Sequence, residues 1–93
     1  MARMARKTPA ELAPKPWPSS PSDDHAGEVA RQFTLNLRDA IGTKSIRAAA
    51  EAAGVNHSTL LGIMEGRTWP DLETIAKIEH GLQADLWPGR LGA

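Results

Sequence analysis

Val29, Phe33, Leu37 and Ile41 recur every fourth residue, with Ala30 and Ala40 beside them, while Arg31, Gln32, Asn36 and Arg38 fall off that line. An apolar stripe of that period is the buried face of a helix, here starting near residues 24–27 and stopped by Gly42. A second pattern of the same kind, Leu72, Ile75, Ala76, Ile78 and Leu82, follows Asp71, a natural N-cap, and carries Glu73 in its first turn, where the positive end of the helix dipole favours an acid. Gly81 weakens its last turn, and Asp85, Leu86 and Trp87 have room for one further helical turn before Pro88.

Between these two lie residues 45–66, SIRAAAEAAGVNHSTLLGIMEG, around which the chain is organised. Ser45 caps an alanine-rich helix that Gly54 ends. Two residues on, Asn56 caps another helix over 57–65, closed by Gly66. Two helices joined by so short a glycine turn cannot lie antiparallel and must cross steeply, the unit that DNA-binding proteins set into the major groove. No strand-like alternation and no internal repeat occurs. The expected fold is all-α, a compact bundle of four to five helices with a helix-turn-helix over residues 26–88, followed by a short tail, 89–93.

Residues 1–25 differ in character. They hold all but two of the seven prolines, with PKPWP at their centre and Ser19, Ser20 and Ser22 beyond it. Proline supplies no amide and biases its predecessor away from helix, so this stretch reads as a disordered or polyproline-like arm. Trp17 within it either docks on a groove or sits exposed.

Composition narrows the chemistry. The chain has 93 residues and no cysteine, which excludes disulfide staples, thiolate zinc sites and cysteine nucleophiles. No apolar run is long enough for a membrane span or a secretion signal, so a cytoplasmic protein with no membrane partner is expected. His25, His57 and His80 are too scattered for a metal site, and Asp23 with Asp24 reads as a helix-start charge pair rather than a dyad. No enzyme and no cofactor is implied. Lys and Arg total 11 against 11 Asp and Glu, a balance that argues mildly against nucleic acid. The distribution offsets this, because residues 1–20 carry Arg3, Arg6, Lys7 and Lys15 against Glu11 alone, whereas residues 69–93 carry Lys77 and Arg90 against Asp71, Glu73, Glu79 and Asp85.

The residues S-I-R-x-x-A-x-x-x-G-V-N at 45–56, S-T-L at 58–60, Ile63, Gly66 and P-D-L-E-T-I-A-K-I at 70–78 together resemble the Cro and lambda-repressor type of helix-turn-helix, the XRE family, over about two thirds of the chain. The resemblance places the start of the 57–65 helix in the major groove, with Asn56, His57, Ser58, Thr59 and Leu61 nearest the bases. Asn pairs with adenine, Ser and Thr bond several base edges, and Leu61 packs on thymine methyls. If Val55, Leu60 and Ile63 face the core, His57, Ser58, Leu61, Gly62 and Glu65 face outward. Lys44, Ser45, Arg47, Arg67 and Thr68 border that surface as phosphate contacts, and Arg3, Arg6 and Lys7 can reach a minor groove. Three positions depart from the family: Ile46 replaces a common glutamine, Gly62 a long polar side chain and Met64 a common acid.

These features point to a small phage- or plasmid-type repressor that binds double-stranded DNA site-specifically. It would act as a homodimer on a palindromic operator, or as a monomer whose arm supplies a second contact. The alternative is a protein-binding module, such as an antitoxin whose arm wraps a partner. Trp69 and Trp87 read as packing around the last helix, with a subunit contact as a second reading for Trp87.

Overall fold

The computed structural model describes residues 6–91. Its helices are α1 (His25–Ile41), α2 (Ile46–Ala53), α3 (His57–Met64) and α4 (Leu72–Leu82), with a single 3₁₀ turn at Ala10–Leu12. Each α-helix starts on a side-chain cap: Asp24 accepts from the Gly27 amide, Ser45 from Ala48, Asn56 from Ser58 and Asp71 from Thr74. Such a cap contributes about 1 kcal/mol by satisfying an amide that has no partner inside the helix.

The core is one cluster built from all four helices: Phe33, Leu37 and Ile41 of α1, Ala49, Ala50 and Ala53 of α2, Leu60 and Ile63 of α3, Ile75 and Ile78 of α4, and Leu86 beyond α4. The stripe read on α1 is buried as expected. Thr34 is buried with it, its hydroxyl donating to the Ala30 carbonyl at 3.0 Å within reach of the Ile63 carbonyl. The α4 pattern is buried only in part, since Ile75 and Ile78 enter the core whereas Leu72 is 82 % exposed. No helix among the described residues is long and apolar enough to cross a membrane.

Residues 84–88 do not make the further helical turn. Gln83 is left-handed at φ 53°, and the Glu79 carboxylate accepts from the amides of both Leu86 and Trp87 at 2.8 and 2.9 Å. Those amides are thereby satisfied without a helix, Pro88 disfavours helix at Trp87, and the Asn36 amide donates to the Leu86 carbonyl at 2.9 Å.

Within the stretch expected to be a disordered arm, residues 8–22 lie against the bundle and run across it as a strap. Pro9 and Pro18 are fully buried. Thr8 and Glu11 form a reciprocal pair of the capping-box kind, the Thr8 amide donating to Glu11 at 2.8 Å and the Glu11 amide to the Thr8 hydroxyl at 3.3 Å. Further along, the Ser22 amide donates to Glu28 at 2.8 Å, the Ser22 hydroxyl donates to the Leu12 carbonyl, and Arg31 donates to the Pro18 carbonyl at 3.1 Å. The apolar bodies of Pro9, Pro18 and Trp17 gain burial here, which offsets the entropy of ordering the segment.

Candidate nucleic-acid interface

The turn between α2 and α3 is three residues long. Gly54 takes the left-handed conformation at φ 70°, and the Val55 amide returns to the Ala50 carbonyl at 3.1 Å, so the chain reverses tightly into Asn56. Val55 packs against the core beside Leu60 and Ile63, which fixes which face of α3 is left outside.

On that outer face Asn56 and Ser58 are exposed, and His57, Thr59 and Leu61 are half-buried. The Asn56 carbonyl oxygen already accepts from the Ser58 amide at 2.8 Å and from the Ser58 hydroxyl at 2.6 Å. Capping therefore occupies the acceptor that a bidentate contact to adenine needs, and leaves the Asn56 amide hydrogens and the Ser58 lone pairs facing outward. Lys44, Ser45 and Arg47 at the start of α2 are exposed, the Ser45 hydroxyl being taken up by its cap. Arg67 is exposed and paired with Glu65, its Nη2 2.7 Å from the Glu65 carboxylate.

Gly62, expected on the outer face, is buried. Its carbonyl accepts from the amides of Arg67 and Thr68 at 2.9 and 3.2 Å, and a Cβ on Gly62 would lie 2.5 Å from Thr68 Oγ1. The position where the resemblance leads one to expect a long side chain is here the seat of a loop. Thr68 is consequently half-buried, with its hydroxyl over α3. The other two departures also have structural roles, because Ile46 and Met64 are half-buried against the core.

Of the three arm residues, Arg3 lies outside the described residues. The Arg6 guanidinium sits 5.1 Å from the ring centre of Trp69, and the Lys7 carbonyl accepts from Trp69 Nε1 at 2.8 Å. A guanidinium over an indole face is a favourable cation–π arrangement, so Arg6 is engaged with its own domain at the 67–70 loop.

Of the two fates open to Trp17 in the sequence, docking is the one observed, and its target, the end of α3, has no local signal. Trp17 Nε1 donates to the Met64 carbonyl at 3.1 Å and the Ala10 amide to the Gly66 carbonyl at 3.0 Å. Part of this was readable in T-P-A-E at 8–11, a threonine, a proline and a glutamate spaced as a helix start.

The electrostatics of the strap junction are strong. Arg31 donates two hydrogen bonds to Glu28, at 2.8 and 2.7 Å, and together with Gln32 and the Ser22 amide holds the Glu28 carboxyl down at about 2 despite the opposing effect of burial. The same pair raises the Arg31 guanidinium further.

The family model for helix-turn-helix domains matches residues 35–86. The chain belongs to the XRE-type helix-turn-helix family of DNA-binding regulators. Similar solved structures include two regulators. One is the clp gene regulator ClgR from C. glutamicum, at 27% identity and a TM-score of 0.54, covering 62% of this chain and 78% of that one. The other, the restriction-modification controller protein C.AhdI from Aeromonas hydrophila, shares the fold at 24% identity and a TM-score of 0.54, over 60% of this chain and 88% of that one. No curated protein matches the chain.

Proposed function

We propose that this protein binds double-stranded DNA site-specifically with α3 in the major groove and controls transcription as a small repressor of the phage or plasmid type. The observation that carries the reading is the outward face of α3 with Asn56, His57, Ser58, Thr59 and Leu61, together with the exposed cations Lys44 and Arg47 at the start of α2 and Arg67 just after α3. Ser58, with Asn56 held in place by its cap, is the readiest base contact. His57, Thr59 and Leu61 complete the reading surface, and Lys44, Ser45, Arg47, Arg67 and Thr68 bind phosphate. A bound domain of this kind represses by occupying the promoter. Two copies side by side would present α3 about one DNA turn apart, which favours a palindromic operator. The PKPWP segment that suggested a partner-wrapping arm makes its contacts with its own domain, which supports the DNA-binding reading over the protein-binding alternative.

The test is a binding isotherm on a duplex taken from beside the protein's own promoter, repeated across a salt series. Arg67→Ala should weaken all sequences alike and reduce the salt slope by about 1, whereas Ser58→Ala should cost about 1–3 kcal/mol at particular base pairs and little elsewhere. Affinity indifferent to salt and to both substitutions would remove the reading.

A further inference from the structure

The strap lies outside the family match, which begins at residue 35, yet it is joined directly to the end of α3. The last carbonyls of any helix lack a donor from within it. At α3 two of the carbonyls at and beyond its end, those of Met64 and Gly66, receive theirs from Trp17 and from Ala10. The fit is close enough to exclude a side chain at Gly66, where a Cβ would stand 2.7 Å from the Ala10 Cβ and 2.8 Å from the Trp17 ring. Thr34 of α1 reaches toward the Ile63 carbonyl, 3.4 Å away. The final turn of α3 is thus held by α1 and by the strap, and the loop carrying Arg67 hangs from that turn through the Gly62 carbonyl. The strap is anchored in turn at its far end by Ser22, Glu28 and Arg31.

We infer that residues 8–22 form a positioning element for DNA reading, with Trp17 as the positioning residue. It fixes the last turn of α3 and the Arg67 loop, and so sets how the reading face meets the groove. This rests on the DNA-binding function proposed above. The strap acts through α3, unlike an arm that inserts into a groove itself.

The experiment uses the full chain and three variants: Trp17→Phe, which keeps an aromatic body but removes the donor, Trp17→Ala, and Trp87→Phe as a control away from the strap. Each is given a randomised duplex library for sequence selection, and amide hydrogen exchange is followed without DNA. Trp17→Phe should retain its helix content and lose protection several-fold at residues 61–66, with α1 and α4 unchanged. Its affinity for the unaltered chain's best duplex should fall about threefold to tenfold and its selected sequence should broaden, while Trp87→Phe behaves as the unaltered chain. Trp17→Ala should exceed Trp17→Phe in both respects; should it fail to fold, Trp17→Phe alone decides. Wild-type protection and an unchanged selected sequence in Trp17→Phe would overturn the inference, as would a protection loss spread evenly over all four helices with the sequence preference intact. An unaltered chain that selects no sequence would instead overturn the DNA-binding function, and this role with it.

Discussion

At the scale of single residues, the proposed reading surface is shaped as much by what each polar group already does as by what it offers. Asn56 has the chemistry for adenine, but its carbonyl oxygen is spent on capping α3. Arg67 has the chemistry for phosphate, but in the free protein it lies against Glu65, with both side chains more than half exposed. An exposed pair of this kind is worth at most about 1 kcal/mol. Binding a phosphate must displace it and bring DNA beside a carboxylate. Glu65→Gln should therefore raise affinity for duplex DNA by about twofold to fivefold at low salt, read by fluorescence anisotropy, with the gain shrinking as salt screens both charges. A weaker-binding Glu65→Gln would mean that Glu65 accepts from a base or positions Arg67 productively.

Among elements, α4 approaches the end of α2 closely at Gly81. A Cβ on Gly81 would lie 2.4 Å from both the Ala52 carbonyl oxygen and the Ala53 Cα, backbone atoms that cannot turn aside. Helix propensity alone favours Gly81→Ala by about 1 kcal/mol, and the crossing opposes it. Since overpacking of this kind costs about 1–3 kcal/mol or more, the crossing should win, lowering Tm by on the order of 10 °C in a thermal melt. A melt unchanged or raised would mean that α4 can slide on α2. The alanine-rich face of α2 belongs to the same contact, because Ala49, Ala50 and Ala53 are small enough to let α4 lie close.

For the whole molecule, the strap makes stability depend on acid. Glu28 joins the Ser22 amide to Arg31 and Gln32, and its carboxyl is lowered from 4.5 to about 2, chiefly by its hydrogen bond with Arg31. A carboxyl lowered on folding stabilises the folded chain in full above its unfolded value, so this contribution is complete above about pH 4.5 and is lost as pH falls toward 2. Tryptophan fluorescence during acid titration should report loosening of the strap in that window. Glu28→Gln should lose about 1.5–3 kcal/mol at neutral pH, the worth of hydrogen bonds to a charged group, and show a shallower acid limb. An acid limb identical to that of the unaltered chain would assign the transition to other carboxyls.

Most helices and their caps were legible in the sequence because they depend on neighbours three and four positions apart: the period of Val29, Phe33, Leu37 and Ile41, the oxygens of Ser45, Asn56 and Asp71, and the stop at Gly54 are all local facts. The candidate reading face was legible for the same reason, since Val55, Leu60 and Ile63 could be assigned inward. Tertiary structure decided the rest. Whether PKPWP is a free arm depends on Met64 and Gly66 having carbonyls to give, and Trp17 is 47 residues from its acceptor. Whether Gly62 faces solvent depends on a loop that folds back over it, and whether Leu86 continues a helix depends on the Glu79 carboxylate seven residues earlier. The 45–66 unit determined by itself what kind of protein this is; which of its groups remain free to meet DNA, and what holds α3 at its far end, were set by partners that no local spacing records.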